Sequence, residues 1–331
     1  MGTGVNMPRK ILRNMLAAAL AALLGAPAHA INSDPLSGDA IAPPPNINIV
    51  LYYNVFTDAG VLEPAHGDGY TKDTHISLDI QALRYIRTFD IGGMLSGVQA
   101  VVPYDSFVGN QVLGVPHLPP SYGPGRVPLS HSSGFVQPSF GAFIFPLARP
   151  ASGTYFVAGF WIEPPIGNYN GNDALNFTEN LTTGELEAGA RTTLLGTPTA
   201  RNLSMELWGD GLFYGSNSRS SLAALGSPLP ARLSQQPGGE IRLYLPCVFF
   251  PSTLATFTPG LYQSFGGKQI LTLANGAKLD SGARTQETQL RFLLSTYLSP
   301  HWQVILNTEY DVTAHGGPLN RNIELRVATF F

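Results

Sequence analysis

The sequence predicts an all-β fold, an antiparallel transmembrane β-barrel of about 12 strands with long extracellular loops and short periplasmic turns. Three observations lead there. Past residue 46, polar and apolar side chains alternate in one segment after another, the period of a strand with two unlike faces. The connections between these segments alternate long and short, the rhythm of an outer-membrane barrel. Only 12% of the chain is charged, and beyond residue 30 lysine occurs only at Lys72, Lys268 and Lys278. An average soluble domain carries about 25% charged residues, so a soluble sandwich built from this chain would be short of charge on its outside.

Taken in order, residues 1–30 read as an export signal: Arg9, Lys10 and Arg13 precede an apolar core from Met15 to Leu24, and Ala28-His29-Ala30 offers small residues for cleavage. Residues 31–46, with Pro43–Pro45, form a proline-rich N-terminal segment that could enter the barrel lumen or hang in the periplasm. The barrel itself is expected over 47–331. Strands are expected at 47–57, 75–89, 91–105, 134–147, 153–164, 182–195, 201–214, 238–249 and 252–266, followed by three near the C-terminus. The last three alternate most clearly. Leu290, Phe292, Leu294 and Leu298 share one face against Gln289, Arg291 and Ser295. Trp302, Val304, Leu306, Tyr310 and Val312 oppose Gln303, Asn307, Glu309 and Asp311. Ile323, Leu325, Val327 and Phe331 oppose Asn322, Glu324 and Arg326.

In a membrane barrel the apolar face meets lipid and the polar face lines the interior. This places Asp79, Arg87, Glu187, Arg191, Glu206, Asp210, Arg242, Arg291, Glu309, Asp311, Glu324 and Arg326 in the lumen as pore-lining candidates. Most of these charges are expected to pair across neighbouring strands, while Arg191, Arg242 and Arg291 are the candidates for solute selection. Tyr104, Trp161, Trp302, Tyr310 and Phe331 fall near strand ends, where an interfacial aromatic girdle belongs. Outer-membrane lipid is therefore the first expected partner. A terminal aromatic closing an alternating row, Phe331, resembles the signal read by the barrel-assembly machinery. The absence of a basic patch argues against nucleic acid.

Several stretches resemble the MetA-pathway phenol-degradation family of outer-membrane proteins. They are Ala42-Pro-Pro-Pro45 with Asn48–Asn54, the acidic, glycine-rich stretch around Asp58 and Gly67-Asp-Gly69, and Gly97-Val-Gln-Ala-Val-Val-Pro103. Further along come Gly134-Phe-Val-Gln-Pro138, Trp161-Ile-Glu-Pro-Pro-Ile-Gly-Asn-Tyr169 and Leu290–Phe331. Gln137 stands where the family pattern has Asp. The resemblance implies a cell outer-membrane channel for passive uptake of small hydrophobic or aromatic solutes, linked to catabolic enzymes and needing neither cofactor nor catalysis.

Two other classes compete with that expectation. In His131-Ser-Ser-Gly134 a histidine lies two residues before Ser133, so on a strand both side chains would share a face, as in a barrel hydrolase. Phe135 then stands where the H-x-S-x-G pattern of outer-membrane phospholipases has glycine. A structural barrel with a closed lumen is the third class. The histidines are dispersed without ligand spacing, so no metal is expected, and the single Cys247 has no partner within the chain.

Overall fold

The computed structural model describes residues 34–63, 73–114, 126–173, 175–221, 230–280 and 286–331. The export signal, Gly67–Gly69, Lys72, His66 and His117 lie outside the described residues.

Twelve antiparallel strands close into one barrel: β1 (Asn48–Glu63), β2 (Ile76–Ile91), β3 (Met94–Phe107), β4 (Ser139–Arg149), β5 (Thr154–Glu163) and β6 (Thr183–Gly196), then β7 (Asn202–Tyr214), β8 (Gly238–Tyr244 continued by Cys247–Phe250), β9 (Ala255–Gly266), β10 (Gln286–Ser299), β11 (Trp302–His315) and β12 (Gly317–Phe330). β8 is broken at Pro246, which has no amide hydrogen to give to the ladder, yet its pairing register with β7 and β9 is the same on both sides of the break. β12 returns to β1, with Ile49 opposite Phe330. Closure is obligatory in hydrocarbon, because an open strand edge would leave backbone groups unsatisfied at several kcal/mol each, roughly.

Alternation decides which face meets lipid. Leu290, Phe292, Leu294, Leu306, Tyr310, Ile323 and Leu325 are exposed on the outside, while Gln289, Arg291, Asn307, Glu309, Glu324 and Arg326 are buried inside. A soluble protein would reverse that arrangement. The short turns lie at one end. At Gly92-Gly93 both residues have positive φ, as a two-residue hairpin with matching twist requires, and the Asp90 carboxylate accepts the Gly93 amide.

The opposite end carries the long connections, and they hold structure that alternation alone does not predict. β1 continues past residue 57 to Glu63. Residues 216–221, 230–235, 269–273 and 278–280, expected to be loop, form a separate four-stranded sheet with its own small core of Leu181, Ala231, Leu233 and Leu271. Leu113, Leu129, Leu175 and Phe177 from the loops pack onto Val55, Leu78 and Ile80 of β1 and β2, filling the barrel mouth on that side.

Candidate functional site

The lumen is the site, and its two walls differ in chemistry. On β1–β5 the inward residues are mostly apolar: Ile49, Leu51, Val55, Ile80, Ala82, Ile86, Val101, Phe145 and Val157 are all buried. On β6–β12 they are mostly polar or charged, including Glu187, Glu206, Asp210, Arg242, Arg291 and Arg326. A lumen polar all round, the sequence expectation, is therefore corrected for the first five strands.

That difference explains two misplaced candidates. Asp79 lies opposite Phe56, and Arg87 opposite Asn48, on the outer side of the β1–β2 pair. Asn54 donates to Asp79 at 2.7 Å, and Arg87 donates to the Asn46 carbonyl and the Asn48 side chain. Because β2 is apolar on both faces, with Ile76, Leu78 and Ile80 inside and Leu83 and Tyr85 outside, its charges do not reveal which face is inward. Trp161 is corrected in the opposite sense. It is 2% exposed and points into the lumen, while Phe156, Phe160 and Ile162 take the outer face of β5. Tyr104, Trp302, Tyr310 and Phe331 are exposed on the outside.

The other ten candidates face inward, and several hold the N-terminal segment. Asp34–Asn46 enters the barrel. Its turn at Ser37–Ala40 is closed by the Asp39 amide donating to the Leu36 carbonyl and the Ile41 amide to the Gly38 carbonyl. Gly38 has φ +103°, in the left-handed region that disfavours a side chain. Asp34 bridges Arg242 of β8 and Arg291 of β10, the latter at 2.8 Å. Asp39 pairs with Arg326 of β12 at 2.9 Å. The Glu206 carboxylate of β7 accepts the Gly38 and Ala40 amides and pairs with Arg191 at 2.9 Å. The Tyr244 hydroxyl donates to the Pro35 carbonyl. Leu36 and Ala40 pack among Phe145, Val157, Trp208, Tyr244, Leu293 and Ile305.

Around this anchor the charges of β10–β12 are partnered across strands. Arg291 also reaches Glu309 at 3.4 Å, Asn307 donates to Glu309 and Glu324, and Gln289 and the Asn320 amide donate to Asp311. Buried charge demands such partners. Space for the segment comes from inward rings lying flat on glycines of the next strand: a Cβ at Gly141 would sit 2.7 Å from the Trp161 ring, and one at Gly189 2.5 Å from Trp208.

Beside the segment lies a cavity of about 650 Å³ to which both walls contribute, Arg84, Glu187, Arg191 and Arg326 among its charged lining. Ile49, Leu51, Ile86, Phe143, Phe145 and Val157 supply its apolar lining, and it extends to Pro150, Pro300 and His301 at the short-turn end.

The hydrolase candidates sit elsewhere, where a long connection meets β3. Ser133 Oγ accepts the Phe107 amide at 3.2 Å, and the His131 ring packs against the Phe107 ring. Gln137 is a buried staple: its amide nitrogen donates to the Glu163 and Leu181 carbonyls, and its oxygen accepts from Thr178. An aspartate there, as the family pattern has, would lose both donated bonds.

A closed 12-stranded barrel with lipid-facing apolar rows and an interior segment is an outer-membrane barrel by class. The chain belongs to the family described as "putative MetA-pathway of phenol degradation", whose profile matches residues 62–327. Among solved structures, an outer-membrane channel of Pseudomonas putida F1 superposes with a TM-score of 0.70 at 19% identity, over 90% of this chain and 100% of that one. The transport unit of the autotransporter AIDA-I from Escherichia coli gives 0.47 at 8% identity, over 96% and 97%. No curated protein matches the chain.

Proposed function

We propose that this barrel is a passive channel through which small hydrophobic or aromatic solutes cross the outer membrane, with no catalytic step, supplying a catabolic pathway inside the cell. The observation that carries this reading is the cavity beside the N-terminal segment, with Ile49, Leu51, Ile86, Phe143, Phe145 and Val157 forming an apolar side. That apolar side takes the surface of an uncharged solute out of water, a gain that a hydrophilic solute does not have. Family membership supports the catabolic link.

The experiment is uptake by cells that produce the protein, compared with cells that lack it. A neutral aromatic such as naphthalene should enter faster with the protein, and a sugar of similar mass should not. Val157→Trp, which narrows the cavity, should reduce the difference. Equal uptake with and without the protein, or a preference for the sugar, would contradict the proposal.

A further inference from the structure

On the charged wall, Glu185 and Glu187 of β6 and Asp210 of β7 place carboxylate oxygens within 4.8 Å of one another, all three residues buried. We propose that this cluster is a binding site for a divalent cation, calcium. The inference is independent of which solute the channel carries.

Strand geometry builds the cluster. Residues two apart on β6 share the inward face, and Asp210 lies directly opposite Glu187 in the β6–β7 ladder. Like charges that close repel strongly unless something neutralises them. The guanidinium beside Asp210 is already shared: Arg242 pairs with Asp34, Asp210 and Glu240. Three of the other inward arginines are paired with carboxylates, and Arg84 is held by neutral groups. Arg84 is bonded to Gln99 and lies over the Trp161 ring, Arg191 is paired with Glu206, Arg291 with Asp34 and Glu309, and Arg326 with Asp39.

A second observation points to a ligand. Glu187 is 8% exposed, and its buried Oε2 meets no hydrogen-bond donor among the described residues; the same holds for Asp210 Oδ1. A buried carboxylate oxygen without a donor is costly. A cation held between these oxygens removes that cost.

The donors choose the ion. All are oxygens, which favours a hard cation over those that prefer nitrogen or sulfur. Calcium takes about six to eight oxygens in a flexible geometry and accepts carboxylates on a rigid strand pair, whereas magnesium demands a near-ideal octahedron and keeps several waters. Glu187 also lines the lumenal cavity, so an ion and its remaining water ligands have a route in.

The test uses the full-length folded protein in detergent, stripped with a chelator at neutral pH. Terbium should bind and luminesce when tryptophan is excited, because Trp208 is two residues from Asp210 and Trp161 lies opposite Glu185. Excess calcium should quench that signal, and calorimetry should give one calcium per chain at this site. Glu187→Gln and Glu185→Gln should each weaken calcium binding at least tenfold, while Asp79→Asn on the outer face should leave it unchanged. Retained heat-modifiable migration in gels certifies the fold of each variant. The stripped Glu187→Gln protein should also resist heat at least as well as stripped wild type, since it removes a repelling charge. No calcium binding by wild type, as when protons alone neutralise the cluster, would overturn the proposal, as would binding of equal strength in Glu187→Gln and Asp79→Asn.

Discussion

The β1–β5 wall and the β6–β12 wall enclose the same lumen with opposite chemistry. The charged wall grips: Arg242, Arg291 and Arg326 hold Asp34 and Asp39, and Glu206 collects the amides of the turn between them. The apolar wall holds only the end of the segment, through Thr88 and Pro44, and supplies the apolar side of the cavity. An irregular segment inside a barrel needs its backbone groups satisfied, and charged side chains do that from a distance; an apolar wall leaves the adjoining space empty.

The largest expected effect breaks the gripping wall. Arg291→Ala leaves Asp34 and Glu309 without their shared guanidinium and should cost about 3–5 kcal/mol, the range for removing one partner of a buried ion pair, read as a lower urea midpoint for loss of heat-modifiable migration. The opposite wall should respond less. Leu51→Ala, at 5% exposure, removes transfer energy and enlarges a void for about 2–3 kcal/mol, toward the lower part of the usual range because the site already borders a cavity. On the lipid side, Leu294→Arg puts charge at a residue 51% exposed on the outer face and should cost about 2–4 kcal/mol in lipid, if it lies near the bilayer midplane. Its effect in a small-micelle detergent should be weaker.

The smallest effect lies outside both walls, among the long connections. Burial pushes the Glu179 carboxyl from its ordinary 4.5 up to about 7, with the Gln269 amide opposing the shift. The folded state then binds this proton more tightly than the unfolded chain. Its stabilisation is complete below pH 4.5, falls as pH rises toward 7, and stays level above that. Hydrogen exchange in 269–273 should accelerate over that interval, and Glu179→Gln should flatten the response.

How much of this was legible beforehand depended on how unlike the two faces of a strand were. β10–β12 carry Leu, Phe and Ile on one side against Arg, Glu and Asn on the other, so alternation fixed both their existence and their facing. On β2 both faces are apolar, so its span could be read but Asp79 and Arg87 were assigned to the wrong side. Trp161 went astray because an aromatic near a strand end suits a lipid interface as well as a glycine-floored lumen. The path of Asp34–Asn46 was illegible for another reason. Gly38 meets Glu206 across 168 residues and Asp39 meets Arg326 across 287, and no local pattern encodes such partners. The Glu185–Glu187–Asp210 cluster had a signal, inward carboxylates at i and i+2, but it needed the β6–β7 register to bring Asp210 opposite.

The most direct test of the divided lumen is a cross-link in a Cys247→Ser background, made with a thiol-reactive linker of about 8 Å on folded protein in outer-membrane vesicles. Asp39→Cys paired with Arg326→Cys should cross-link in high yield, and Asp39→Cys paired with Gln99→Cys, on the apolar wall, should not. Equal yields for the two pairs, or a higher yield to Gln99→Cys, would contradict the account.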